Sequence, residues 1–227
     1  VLLVSGLSCM PGVVLEGRRV VNNIQRSASL FLVKNMFSFL LAIFSAVFMI
    51  TYPLEPSQVS LISMFTIGVP AFFLALEPNK SMIKGHSLTN VFLKALPAAL
   101  TDVLAVGALV VFGETFGVNA TDISTAATML LAIVGFMILY RISRPMNKIR
   151  VAVLLLCICA LLFCSTVLNK LFAITGMSAE CIMLFVVFSI ATEPVLRYLT
   201  MFVRKLKYFY DRIRRNLVLG KEAKEEG

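Results

Sequence analysis

Three ionisable side chains, Lys34, Asp102 and Glu193, lie inside long apolar runs of the sequence. Placing a charged side chain at the centre of a lipid bilayer costs about 2.5 to 3.5 kcal/mol on insertion scales and more on others. Such a group is therefore a functional candidate by default. For each of the two carboxylates we expect either a role in transport or a structural hydrogen bond or ion pair.

A second feature with chemical potential is the apolar run FTIGVPAFFL at 65–74, which holds Gly68 and Pro70 at its centre. Because proline has no N–H, the carbonyl of Thr66 loses its helical partner and the helix is expected to kink or unwind there. Freed carbonyls and a nearby hydroxyl are oxygen ligands that hard cations accept. The break therefore predicts a place where a cation could bind inside a membrane span.

The element that must position these groups is the stretch from Glu16 to Ile50, which predicts one long helix. Its first half is polar and charged and contains no proline or glycine after Gly17. From Leu30 the composition turns apolar without a break, and about 20 such residues at 1.5 Å each match a hydrocarbon core of roughly 30 Å. The pattern predicts a cytoplasmic stalk that continues into the membrane.

Composition places the whole chain in a membrane, because 59% of its residues are hydrophobic and only 15% are charged. The predicted fold is an all-α membrane protein, a bundle of six transmembrane helices with a long cytoplasmic stalk helix. We predict a stalk region at 1–29, the bundle at 30–201 and a basic cytoplasmic tail at 202–227. The six predicted spans are 30–50, 59–76, 91–112, 124–140, 151–172 and 181–201.

The net charge of +9 is concentrated in segments that flank the apolar runs. This distribution favours positive-inside topology over nucleic-acid binding. Loops without lysine or arginine alternate with basic ones, which predicts that both termini are cytoplasmic. After the last span, apolar residues recur at helical spacing opposite arginine and lysine, which fits either a helix lying on an anionic leaflet or a solvated tail.

Several of these residues resemble a known family. The segments EGR at 16–18, Asn22-Asn23, Lys34-Asn35 and PSQVSLISMFTIGVPAFFLALEPNK at 56–80 are similar to the fifth and sixth transmembrane helices of P-type cation-transporting ATPases, closest to the bacterial E-type cation-transporting ATPases. The resemblance is specific over 16–80 and weaker but collinear to about Arg204. It implies that Val1–Val4 is the last strand of a phosphorylation domain.

The resemblance implies a set of cation ligands. Asn35 falls on an asparagine that ligates ions in calcium pumps of this family, while Ser38 and Ser63 fall on an acidic and an asparagine ligand of the fifth and sixth helices. Thr66 matches a threonine ligand, and Gly68-Val69-Pro70 keeps the family's G-x-P. Carboxylates that clamp the ion in calcium pumps are therefore absent from these positions.

Lys34 occupies the position of the intramembrane lysine in the gastric proton pump. Its ammonium could act as a built-in counter-charge, or the side chain could extend to the cytoplasmic interface. Asp102 or Glu193 could supply the missing negative charge or pair with Lys34.

The implied function is the ion-translocating membrane part of an ATP-driven cation pump of the plasma membrane, with calcium as the first candidate. The family's DKTGT, TGE and GDGxND motifs do not occur in this sequence. The resemblance therefore implies that ATP, Mg²⁺, the ATPase domains and the first four transmembrane helices belong to parts outside it, and that this chain needs no cofactor and is not catalytic alone. Two alternatives are a free-standing six-helix membrane protein without transport and a secondary transporter or channel.

Overall fold

The computed structural model describes residues 10–76 and 87–225, all in helices and the connections between them, with no strand in these two ranges. Within them, six helical segments are long and apolar enough to cross a membrane. The predicted all-α, six-span fold is thereby confirmed. The predicted strand at Val1–Val4 lies outside the described residues. The spans are Met10–Phe48, Pro56–Leu76, Val91–Thr115, Ala120–Ile142, Lys148–Val167 and Ala179–Tyr210.

The first helix, α1, runs without interruption over Met10–Phe48 and has 39 residues. It begins at Met10, close to the helix start that Ser8 and Pro11 indicate in the sequence, and ends two residues before the predicted Ile50. At its end Met49 adopts φ +54°, and the Ile50 N–H donates to the Ser45 carbonyl at 3.0 Å. This left-handed residue with a closing hydrogen bond is a common way to terminate a helix.

The second span consists of α2 (Pro56–Ser63), a π-helical segment (Met64–Gly68) and α3 (Val69–Leu76). Its start follows from the sequence, since Glu55 and Gln58 form a reciprocal capping box and Pro56 occupies the first turn. Four further helices follow. They are α4 (Ser87–Thr115), α5 (Ala120–Ile142), α6 (Lys148–Val167) and α7 (Ala179–Glu225).

Helix α4 lies at the centre of the bundle, packed against α1, α5 and α7. Buried Ala95, Ala98 and Ala99 allow its neighbours to approach closely, as small residues do between membrane helices. At Gly107 the space a Cβ would need is taken by the Phe44 ring of α1, 2.9 Å away. Helix α6 packs at the periphery, against α3 and the π-helical segment.

One end of the bundle is joined by hydrogen bonds that polar side chains make to one another and to the backbone, and we call it the Gln58 end. Fully buried Gln58 donates to the Ala173 carbonyl at 2.9 Å, while the Ser124 hydroxyl donates to its Oε1 at 2.7 Å. The Ser178 N–H donates to Asp122 at 2.9 Å. These contacts join the start of α2, the start of α5 and the connection between α6 and α7.

Candidate functional site

The π-helical segment Met64–Gly68 lies directly before Pro70, where the sequence predicted a kink or unwinding. The Val69 N–H donates to the Met64 carbonyl, five residues earlier, which is the hydrogen bond of a π-helix. The proline is therefore accommodated by one widened turn, and the chain remains helical. The Ser63 and Thr66 hydroxyls donate to the carbonyls of Val59 and Ile62 at 2.5 and 2.7 Å. Their oxygen lone pairs stay available as acceptors, and single π turns are frequent at functional sites.

A cavity of about 50 Å³ lies between this segment and helices α1, α4 and α5. It has room for a cation or a few water molecules, since one water needs roughly 10 to 15 Å³ of such volume. Most of its wall is apolar. The polar side chains that line it are Lys34, Ser38, Ser63, Thr66 and Asp102.

Asp102 is the carboxylate of this cavity. The residue is 5% exposed, and its Oδ1 atom has no hydrogen-bond partner among the described residues. Lys34 lines the same cavity, but the two side chains form no salt bridge. Leaving a buried carboxylate oxygen without a partner costs folding free energy unless a cation, a proton or a water molecule binds to it. Oδ1 of Asp102 is therefore a candidate ligand atom.

On the α1 side of the cavity, Ser38 has a neighbour in the connection between α1 and α2. Its hydroxyl hydrogen-bonds the phenol of Tyr52. Burial raises the pKa of this Tyr52 phenol, and the hydrogen bond with Ser38 lowers it in part. The phenol therefore stays protonated at neutral pH.

Sequence reasoning missed Gly135 on α5, which also lines the cavity. A Cβ at this position would lie 2.8 Å from Thr66 Cγ2 and 3.3 Å from its hydroxyl oxygen. Glycine therefore lets the π-helical segment reach α5. The available signal was a lone glycine within an apolar span, which often has a packing or functional reason.

The other predicted site residues lie elsewhere. Asn35 is exposed on α1 and does not line the cavity. Glu193 lies on α7, where it pairs with Arg197 at 2.8 Å and its side chain is 48% exposed. Pro70 is fully buried but faces α5 and α6.

The donor set has a definite chemical character. In residues 10–76 and 87–225 no three His, Cys, Asp or Glu side chains come together as a metal cluster. The cavity instead offers one carboxylate and three hydroxyls, all hard oxygen donors suited to alkali or alkaline-earth cations. Fold and cavity together define a multi-pass membrane protein with a mostly apolar cavity between its helices, into which one carboxylate and three hydroxyls are placed.

Comparison with known proteins agrees with this class. The chain is 37% identical over 159 residues to a probable cation-transporting ATPase, exp7, of Streptococcus pneumoniae, covering 66% of this chain and 20% of that protein. It is 36% identical over 176 residues to the calcium-transporting ATPase CtpE of Mycolicibacterium smegmatis, covering 71% and 22%. The CtpE of Mycobacterium bovis is 34% identical over 171 residues, covering 68% and 21%.

No protein-family model matches the chain. The chain spans about a fifth of the length of the curated relatives it matches. It is homologous to a membrane-spanning part of bacterial cation-transporting P-type ATPases.

Proposed function

We propose that this chain is the ion-translocating membrane part of an ATP-driven P-type pump and that the cavity at Asp102 is its cation site. The observation that carries the proposal is the unpartnered Oδ1 of Asp102, buried beside three hydroxyl oxygens and a π-helical turn. The homology to cation-transporting ATPases supports it. Calcium is the first candidate because two of the relatives are named calcium-transporting ATPases.

The donor set is compatible with calcium but does not complete its shell. Calcium takes 6 to 8 oxygen ligands at about 2.3 to 2.6 Å. Asp102, Ser38, Ser63 and Thr66 supply up to five oxygens from side chains. We infer that water and backbone carbonyls of the π-helical segment complete the shell.

Lys34 brings a fixed positive charge to the wall of the same cavity. We infer that a bound cation and the Lys34 ammonium compete for electrostatic interaction with the Asp102 carboxylate. The ammonium would then act as a built-in counter-charge, one of the two roles considered for Lys34 from the sequence, and would limit how much positive charge the cavity holds.

The energy for transport would come from outside these residues. We infer that ATP, Mg²⁺ and the phosphorylated aspartate belong to further parts of a pump, since the matched relatives are about five times as long as the aligned segment. Helix α1 is suited to transmit motion from such parts. Its 39 unbroken residues exceed the roughly 20 needed to cross a bilayer.

We also infer that the protein resides in the plasma membrane with both termini cytoplasmic. Six spans place both termini on one side, and the connection 143–147 carries Arg144 while the connection 116–119 carries no lysine or arginine. A membrane-impermeant thiol reagent applied to intact cells should label a cysteine at Thr115 and spare one at Lys148 in a cysteine-free background. The opposite labelling pattern would reject this orientation.

The proposed function is tested by ATP hydrolysis in the full-length protein, measured in lipid against a panel of alkali and alkaline-earth cations. We expect calcium to stimulate hydrolysis in the parent protein. Stimulation by another cation would reassign the ion. Hydrolysis that responds to no cation would reject a role in cation pumping.

A further inference from the structure

A second, larger cavity of about 620 Å³ lies among α1, α4, α5 and α7, at the opposite end of the bundle from the Gln58 end. Its size falls within the range of small-molecule binding pockets. Four basic residues, Arg141, Arg144, Arg204 and Lys207, line it. They come from the end of α5, the connection after it and residues 204–207 of α7.

Three of the four basic residues of this cavity have no acidic partner among the described residues. No aspartate or glutamate is among its described lining residues. Arg141 donates to the neutral Thr200 hydroxyl at 3.2 Å, and Arg144 donates to the Tyr140 hydroxyl and stacks 4.8 Å above the Tyr140 ring. In the described part of the chain Arg141, Arg144 and Arg204 form no ion pair with a carboxylate.

Apart from the basic residues, the described wall has eight apolar side chains and four uncharged polar ones, which are Asn22, Gln25, Ser29 and Thr200. Val91, Pro97 and Ala98 of α4 form one side, and Ile138 and Leu196 form another. An arginine cluster beside an apolar wall at the ends of membrane spans suits a ligand with a phosphate at one end and hydrocarbon at the other. Free phosphate would leave the apolar wall unused.

We propose that this cavity binds an anionic phospholipid, with its headgroup phosphate between Arg141 and Arg204 and its acyl chains along the apolar wall. Guanidinium groups suit this ligand because they donate two parallel hydrogen bonds to phosphate oxygens. Basic pockets between membrane helices are a known form of lipid headgroup site. The bound lipid would join the end of α5 to residues 200–207 of α7, which already contact each other through Arg141 and Thr200.

The test measures lipid binding to the full-length protein by native mass spectrometry. Detergent-solubilised protein is titrated with phosphatidylglycerol or with phosphatidylcholine. We expect selective retention of phosphatidylglycerol. A basic residue near an anionic lipid contributes about fivefold in affinity, so Arg141→Gln with Arg204→Gln should weaken phosphatidylglycerol binding about 25-fold and leave phosphatidylcholine unchanged. Arg204→Gln alone should weaken phosphatidylglycerol binding about fivefold. This single variant tests the proposal if the double variant does not fold.

The matched control is Lys205→Gln with Arg212→Gln, which removes the same charge from exposed positions of α7 outside the cavity. It should retain phosphatidylglycerol like the parent. Equal losses in the test and control variants, or parent-like binding in both, would overturn the proposal. Displacement of phosphatidylglycerol by millimolar inorganic phosphate would also overturn it, because the site would then recognise phosphate alone.

Discussion

The Gln58 end and the cavity at Asp102 both bury polar side chains between helices, but they differ in how completely those side chains are hydrogen-bonded. Gln58 is 0% exposed and makes hydrogen bonds to the Ala173 carbonyl, the Ser124 hydroxyl and the Glu55 N–H. Asp122 is 8% exposed and accepts from the Ser178 N–H. Asp102 is 5% exposed and leaves Oδ1 without a partner among the described residues.

This difference separates a structural polar cluster from a binding site. A fully satisfied buried network fixes helix positions, whereas a half-satisfied one is less stable than an apolar core. Among the described residues, Asp102 has the one buried carboxylate oxygen that lacks a hydrogen-bond partner. We therefore expect substitutions at the Gln58 end to change stability and those around the cavity to change cation affinity.

The largest effect is expected at Gln58. Gln58→Leu removes three hydrogen bonds and leaves the Ser124 hydroxyl and the Ala173 carbonyl without this partner. We expect a loss of about 3 kcal/mol in the free energy of unfolding, with cation affinity unchanged in the folded fraction. Unfolding by sodium dodecyl sulfate titration measures the first quantity, and calcium binding the second. A stable variant with lost calcium binding would reverse the roles assigned to the two regions.

Gly135→Ala should act at the cavity. Its Cβ would lie 2.8 Å from Thr66 Cγ2, so the π-helical segment has to shift. Overpacking of this kind costs about 1 to 3 kcal/mol, or roughly 5- to 150-fold in cation affinity if the shift falls on the ligands. The control is Gly68→Ala, whose Cβ meets only the Ser63 carbonyl at 3.7 Å. Equal affinities in the two variants would mean that the Thr66 position does not matter.

Lys34→Gln removes the fixed positive charge from the cavity wall. A unit charge about 8 to 16 Å from a bound cation contributes about 1 to 2 kcal/mol at an effective dielectric constant of 20, so cation affinity should rise about 5- to 30-fold. Lys34→Arg keeps the charge and should retain the parent affinity. A side chain that merely extends to the interface would give parent-like affinity in both variants, and a titration of cation-stimulated hydrolysis distinguishes these results.

Asn35→Ala should have the smallest effect. Asn35 is exposed and does not line the cavity, so we expect less than about a threefold change in cation affinity. The sequence match had placed Asn35 among the ligands. A loss of tenfold or more would mean that the exposed face of α1 is covered in a full pump by helices that complete a site there.

The sequence was sufficient for features that depend on composition and local chemistry. Uninterrupted helix formers predicted the continuous α1, and Pro70 predicted a local break that appears as the π-helical turn. The ligand assignment stays a prediction, although Lys34, Ser38, Ser63, Thr66 and Asp102 do line one cavity.

The sequence was insufficient to predict features that depend on how the helices pack against one another. Which way Asn35 and Glu193 face depends on helix rotation, and consecutive helical residues point about 100° apart. The need for glycine at Gly135 arises only when α5 approaches Thr66. The basic cavity combines Arg141 and Arg204 from distant segments, which the sequence marked only as basic flanks.

Equilibrium binding of radiolabelled calcium to the full-length protein tests the central claim most directly. Asp102→Asn replaces the carboxyl group that has the unpartnered oxygen with an amide, and Asp122→Asn makes the same change at the Gln58 end. Interactions with a charged group contribute about 1.5 to 3 kcal/mol, so Asp102→Asn should weaken calcium binding roughly 10- to 150-fold. Asp122→Asn should bind calcium like the parent. Parent-like calcium affinity in Asp102→Asn would contradict the assignment of this cavity as the cation site.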